Sequence, residues 1–208
     1  MMMSLPLTVI LIYTVYSPWR MEREKLVANL FWGLKAFIPG ILLYLIGIQF
    51  LRLAYRPVSL FVFFLIQDYL LWFFLALAGY AVLYSTRYKD YPRKSSELLG
   101  YLAGFFLLAG VVDTLMRFGN YNVYSLFMLP LLRISMILWI VSIMGLLGKQ
   151  EGKIQYFIPV PVLLLTLPGG AAAMLFSTSH PAFAWLVTMV YLAGSLALFI
   201  FLSLFKKS

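Results

Sequence analysis

Apolar residues fall in long blocks along this chain, separated by short polar stretches. Six such runs cover residues 36–55, 58–84, 98–118, 123–147, 154–177 and 182–205. Each is near or above the roughly 20 residues a helix needs to cross the hydrocarbon core of a bilayer. The pattern predicts an all-α fold, a polytopic membrane bundle of six transmembrane helices. Ahead of the first run, Leu26, Leu30, Phe31 and Leu34 recur at helical spacing among Arg20, Glu22, Arg23, Glu24, Lys25 and Lys35. Residues 21–35 are therefore expected to form an amphipathic interfacial helix lying along the membrane surface. The predicted division is a leading segment over 1–35 and a six-helix domain over 36–208.

Residues 1–19 are apolar and uncharged and end in Ser17-Pro18-Trp19. They lack the basic start and small-residue cleavage site of a signal peptide. Their length is marginal for a span and Pro6 interrupts one end, so they are not expected to cross. If they did, the helices would number seven. Met21 opens Met-Glu-Arg-Glu-Lys, which reads as an ordinary start.

The third run carries two messages on two faces. Gly100 and Gly104 stand four apart, the small-residue spacing that lets membrane helices approach closely. Asp113 and Arg117, also four apart, share the opposite face with Ala109 and Gly110. Lipid asks for neither glycines nor charges, so this helix is expected to have protein on both sides.

Composition strengthens the membrane assignment. The 208 residues are 63% hydrophobic and 11% charged, with a mean hydropathy of +0.95. Soluble domains are nearer half apolar and a quarter charged. The formal charge of +9 would suggest nucleic acid in a soluble protein. Here Lys and Arg sit between hydrophobic runs, where they orient the chain in the bilayer, and no nucleic-acid partner is expected. Arg20, Arg23, Lys25 and Lys35 precede the first run, and Arg87, Lys89, Arg93 and Lys94 follow the second. Lys149 and Lys153 follow the fourth, and Lys206 and Lys207 the last. The opposite loops hold Arg52, Arg56 and Arg117. Both termini are thus expected in the cytoplasm, of a plasma membrane or a bacterial inner membrane.

A handful of residues inside the runs point to chemistry. Asp68 lies well within the second run, and a carboxylate is too short to reach the interface from there. It is expected to pair with Arg133, or otherwise with Arg117. Asp113 and Arg117 have the spacing of an ion pair within one helix. Arg133 depends on where the fourth helix starts. From Pro130 it would extend outward to water; from near Val123 it would lie deep and need an acid. In this topology Asp68, Asp113, Arg117 and Arg133 occupy the outer halves of their helices, with Arg52 and Arg56 on the same side. They are expected to line one outward-facing polar pocket. Arginine favours phosphate and carboxylate, so the natural ligand is an anionic solute or an anionic lipid headgroup.

The fifth run contains Pro168-Gly169-Gly170, where a break would leave a half-helix with its N-terminus free to face an anion. The alternative is a packed kink. The chain has no cysteine and a single histidine, His180, so no metal site or cofactor is expected. No nucleophile elbow, phosphate-binding loop or zinc-protease motif occurs, and no catalytic residue is assigned. Three functions fit. The leading one binds or moves a small or lipidic anion, as a transporter-type subunit. The others are a non-catalytic scaffold or assembly subunit among other membrane proteins, and an enzyme acting on a lipid phosphate.

The charge asymmetry gives a direct expectation. Single cysteines at Lys94, Lys149 and Ser208 resist an impermeant thiol reagent on intact cells, whereas one at Ser179 is labelled. Labelling at Lys94 from outside would invert the topology.

Overall fold

The computed structural model describes residues 23–49, 57–87, 95–116, 122–147 and 159–205. These residues form six helical runs, with no strand among them. Helix α1 is Arg23–Gln49. Helix α2 is built of Pro57–Phe64, a π-helical turn Leu65–Leu70, and Leu71–Arg87. Helix α3 is Ser95–Met116. Helix α4 opens with a π turn, Tyr124–Met128, and continues as Leu129–Leu147. Helices α5, Pro159–Ser177, and α6, Pro181–Phe205, complete the bundle. Four stretches are long and apolar enough to cross a membrane: Ala28–Gly47, Pro57–Leu83, Tyr124–Ile143 and Pro181–Leu202. The apolar stretches in α3 and α5, Leu98–Asp113 and Leu164–Ser177, are shorter. The chain is an all-α helical membrane bundle. Residues 1–22 lie outside the described residues, and with them the expectation for 1–19.

No boundary separates an interfacial helix from the first span. Arg23–Gln49 is one helix, and its spanning stretch begins at Ala28. The reason lies in a seam of small and aromatic residues. Gly33, Phe37, Gly40 and Tyr44 are buried, and Gly47 packs on Leu71. Their alternating spacing of four and three residues is the 3.5-residue period of helices that wind on one another. The seam extends back to Asn29, which is 3% exposed. Residues 28–35 therefore belong to the bundle. Phe31, Ile38, Leu42 and Ile46 are exposed on other sides of α1.

The seam rests on α3. A Cβ at Gly33 would overlap the Tyr101 carbonyl, and one at Gly104 would overlap the Leu30 carbonyl. The backbones of α1 and α3 touch at both points, as the spacing of Gly100 and Gly104 suggested. Every residue from Leu98 to Phe106 is buried, so α3 does have protein around it. A helix buried on all sides is apolar on all sides, which accounts for its lack of an amphipathic face. Between α1 and α2, Trp72 stacks on both Phe37 and Tyr44, with centroids 5.6 and 4.0 Å apart.

Helix α5 corrects one expectation. Pro159–Ser177 runs through Pro168, Gly169 and Gly170 without a break. Proline removes one N–H and crowds the carbonyl a turn earlier, but neighbouring helices can satisfy what it releases. Pro168 has no N–H for the carbonyl of Leu164, four residues back, and Tyr191 of α6 donates to the adjacent carbonyl, that of Leu165, at 2.7 Å. The glycines serve packing instead. A Cβ at Gly169 would lie 2.6 Å from the Tyr69 ring, and one at Gly170 would lie 3.0 Å from the Leu65 side chain.

The α5–α6 connection is tight. His180 N–H donates to the Leu175 carbonyl at 2.9 Å and Ser179 N–H to Phe176 at 3.3 Å. These are the paired bonds of a Schellman cap, and Ser179, at φ 65°, takes the left-handed position usually given to glycine. Pro181 then starts α6.

The glycines separate two cases on α3. Gly104→Ala forces the α1 and α3 backbones apart and lowers stability by at least the usual overpacking cost of about 1–3 kcal/mol. Gly110 has nothing within 4 Å of an added Cβ. Gly110→Ala is therefore neutral or gains up to about 1 kcal/mol from helix propensity. Thermal unfolding in detergent compares them, and equal effects would contradict the packing described.

Candidate functional site

The fourth helix starts early, and this decides the fate of Arg133. Asn122 caps it: the Ser125 N–H donates to Asn122 Oδ1 at 2.8 Å, and Ser125 Oγ donates to the Asn122 carbonyl at 2.9 Å. Pro130 thus lies inside the helix. It has no N–H for the carbonyl of Leu126, four residues back, and the π turn Tyr124–Met128 loosens the helix at that point. A start this early sinks Arg133 into the bundle, where it is 6% exposed.

Arg133 is answered from two other helices. Its Nη1 donates to Asp113 Oδ2 on α3 in a buried ion pair. Its Nε and Nη2 both donate to the main-chain carbonyl of Asp68 on α2, at 3.3 and 2.9 Å. The Phe106 ring lies 5.9 Å from the guanidinium carbon. Asp68 and Asp113 are 1% and 8% exposed. Three helices thus converge on one side chain.

A chain of hydroxyls joins the same centre. Tyr124 donates to Asp68 Oδ2 at 3.2 Å, and the hydroxyls of Tyr69 and Tyr124 are 2.8 Å apart. The Tyr69 ring lies over the bare backbone of Gly169. The proline-glycine stretch of α5 and the buried acid of α2, unrelated in the sequence, meet here.

Of the expected set, the structure brings together Asp68, Asp113 and Arg133. Arg133 meets Asp68, as expected, at its main-chain carbonyl, and it also holds the carboxylate of Asp113. Arg52, Arg56 and Arg117 lie outside the described residues, so the expected Asp113–Arg117 pair does too. Pro168, Gly169 and Gly170 form a seat for α2 in place of a helix break. Two contributors, Tyr69 and Tyr124, carried no sequence signal, being two tyrosines among fourteen in an apolar chain.

The chemistry available here is restrained. Three N–H bonds of Arg133 point at protein acceptors, one of them charged, and charge-assisted bonds of this kind are the stronger ones. Among the described residues, no three His, Asp or Glu side chains converge as metal ligands. No family model, curated protein or solved structure matches the chain.

Proposed function

We propose that this protein is a non-catalytic, multi-pass subunit of a plasma membrane or bacterial inner membrane, whose charged centre holds its helices together. Both termini lie in the cytoplasm in this reading, which the distribution of Lys and Arg supports. The observation that carries it is the engagement of Arg133. An anion-binding arginine offers its fork to the ligand, whereas this one is bonded to Asp113 and to the Asp68 carbonyl. Burial of all three residues adds support, because a solute site must open to water at some stage. The large apolar residues exposed on α1 and α6, among them Ile38, Leu42, Phe183 and Val190, suit lipid and the helices of neighbouring subunits.

A hydrophobic replacement tests the reading. Buried ion pairs exchanged for apolar side chains of similar volume are often neutral or stabilising. The Asp113→Leu/Arg133→Met chain should keep the elution profile of the parent in detergent and lose only the stability that the two bonds to the Asp68 carbonyl supplied. In proteoliposomes neither chain should take up labelled phosphate or acetate. Saturable uptake by the parent, lost in the replacement, would overturn the proposal in favour of anion transport.

A further inference from the structure

Helix α2 changes neighbours along its length. Its Pro57–Phe64 segment packs on α5, while Leu71–Arg87 packs mainly on α1. The π turn Leu65–Leu70 lies where the change occurs, and it touches α5 as well. In this turn the Leu71 N–H donates to the Ile66 carbonyl, five residues back rather than four. A π turn is in effect an α-helix with one extra residue, and such turns recur at functional sites. Two further features bear on it. Arg133 holds a main-chain carbonyl inside the turn, and Gly169 and Gly170 offer it a face without side chains. Within the turn, the buried side-chain oxygen of Gln67 has no hydrogen-bond partner.

We propose that this turn is a register latch: Arg133 holds α2 with its extra residue in place, and release of Arg133 lets that residue pass toward the outer end. The outer segment then joins the α-helical register of the inner one. It turns by about 100° and shifts by about 1.5 Å, the rotation and rise of one residue. Phe61 and Leu65 leave the Gly170 seat, and a different set of side chains faces α5. The hydroxyl bond between Tyr69 and Tyr124 ties the change to the second π turn, which opens α4. The Asp113–Arg133 pair therefore sets the surface that the outer end of α2 shows to lipid or to another subunit. This inference depends on helix geometry and holds whether or not the protein proves to be a subunit of the proposed kind.

The chain has no cysteine, so spin-label pairs can be introduced without background. One pair joins the outer end of α2 to α6, at Val58 and Phe183; the other joins the inner part of α2 to α1, at Val82 and Leu42. All four positions are exposed. Distances are measured in lipid nanodiscs, for the parent and for Asp113→Asn/Arg133→Gln, which leaves no charge stranded. The outer distance should change by several ångström, up to about 8 Å for a label rotated 100° on a helix of ordinary radius. The inner distance should stay constant. In a chain lacking Gln67, with no extra residue to expel, the same double substitution should leave the outer distance unaltered. An unchanged outer distance in the full chain overturns the latch, as does an equal change at both pairs. If the chain lacking Gln67 shifts as far as the full chain, the extra residue is not what moves, and the latch is overturned too. Should that chain fail to fold, the comparison in the full chain decides alone.

Discussion

A guanidinium buried in a membrane protein must have its charge and its N–H groups answered by the protein, because hydrocarbon offers nothing in return. The desolvation of each ion amounts to several kcal/mol even after relaxation. Arg133 meets this constraint by drawing α2, α3 and α4 to one point. The rest of the arrangement follows from it. Asp113 must face α4, which leaves another side of α3, with Gly104, to meet α1. Asp68 presents its carbonyl to Arg133 from within the π turn, and its carboxylate to Tyr124.

The two irregular helices are thus complementary. A π turn is wider than an α turn and needs space beside it. The glycine pair of α5 supplies the space, and Tyr69 and Leu65 occupy it. The helix continues through the proline that precedes the pair, and Tyr191 ties α6 to it at the Leu165 carbonyl. What looks like a weak helix in isolation is a fitted surface in the bundle. In lipid, association between helices rests on packing and polar contacts rather than on the hydrophobic effect. Both kinds of contact are concentrated here, glycine seams at α1–α3 and α2–α5, and charge at the junction of α2, α3 and α4.

The parts of the fold that depend on local pattern were legible in the sequence. Long apolar runs pointed to the helices, and Gly100 and Gly104 pointed to a close helix contact on α3, without saying that its partner is α1. The seam of Gly33, Gly40 and Gly47, seven residues apart, was equally present but obscured by charged neighbours that suggested a surface helix. Asp68, Asp113 and Arg133 stood out because charge is rare in such runs. Their pairing did not. Any acid can face any arginine on paper, and the choice depends on the N-terminal cap at Asn122 and on helix rotation. The π turns left no trace, since Leu65–Leu70 has the composition of an ordinary apolar helix. Pro168-Gly169-Gly170 misled for a related reason: the residues that break a lone helix also permit close packing in a bundle.

The central claim is that Asp113 and Arg133 form one interacting unit at the centre of the bundle. A double-mutant cycle on unfolding free energy in detergent tests it most directly. Removing one member of a buried pair strands the other charge, so Asp113→Asn and Arg133→Gln should each cost about 3–5 kcal/mol. Together they should cost less than the sum of the two, by a coupling of about 2–3 kcal/mol. Some loss should persist, because the Asp68 carbonyl still lacks its donors. Strictly additive losses would contradict the account.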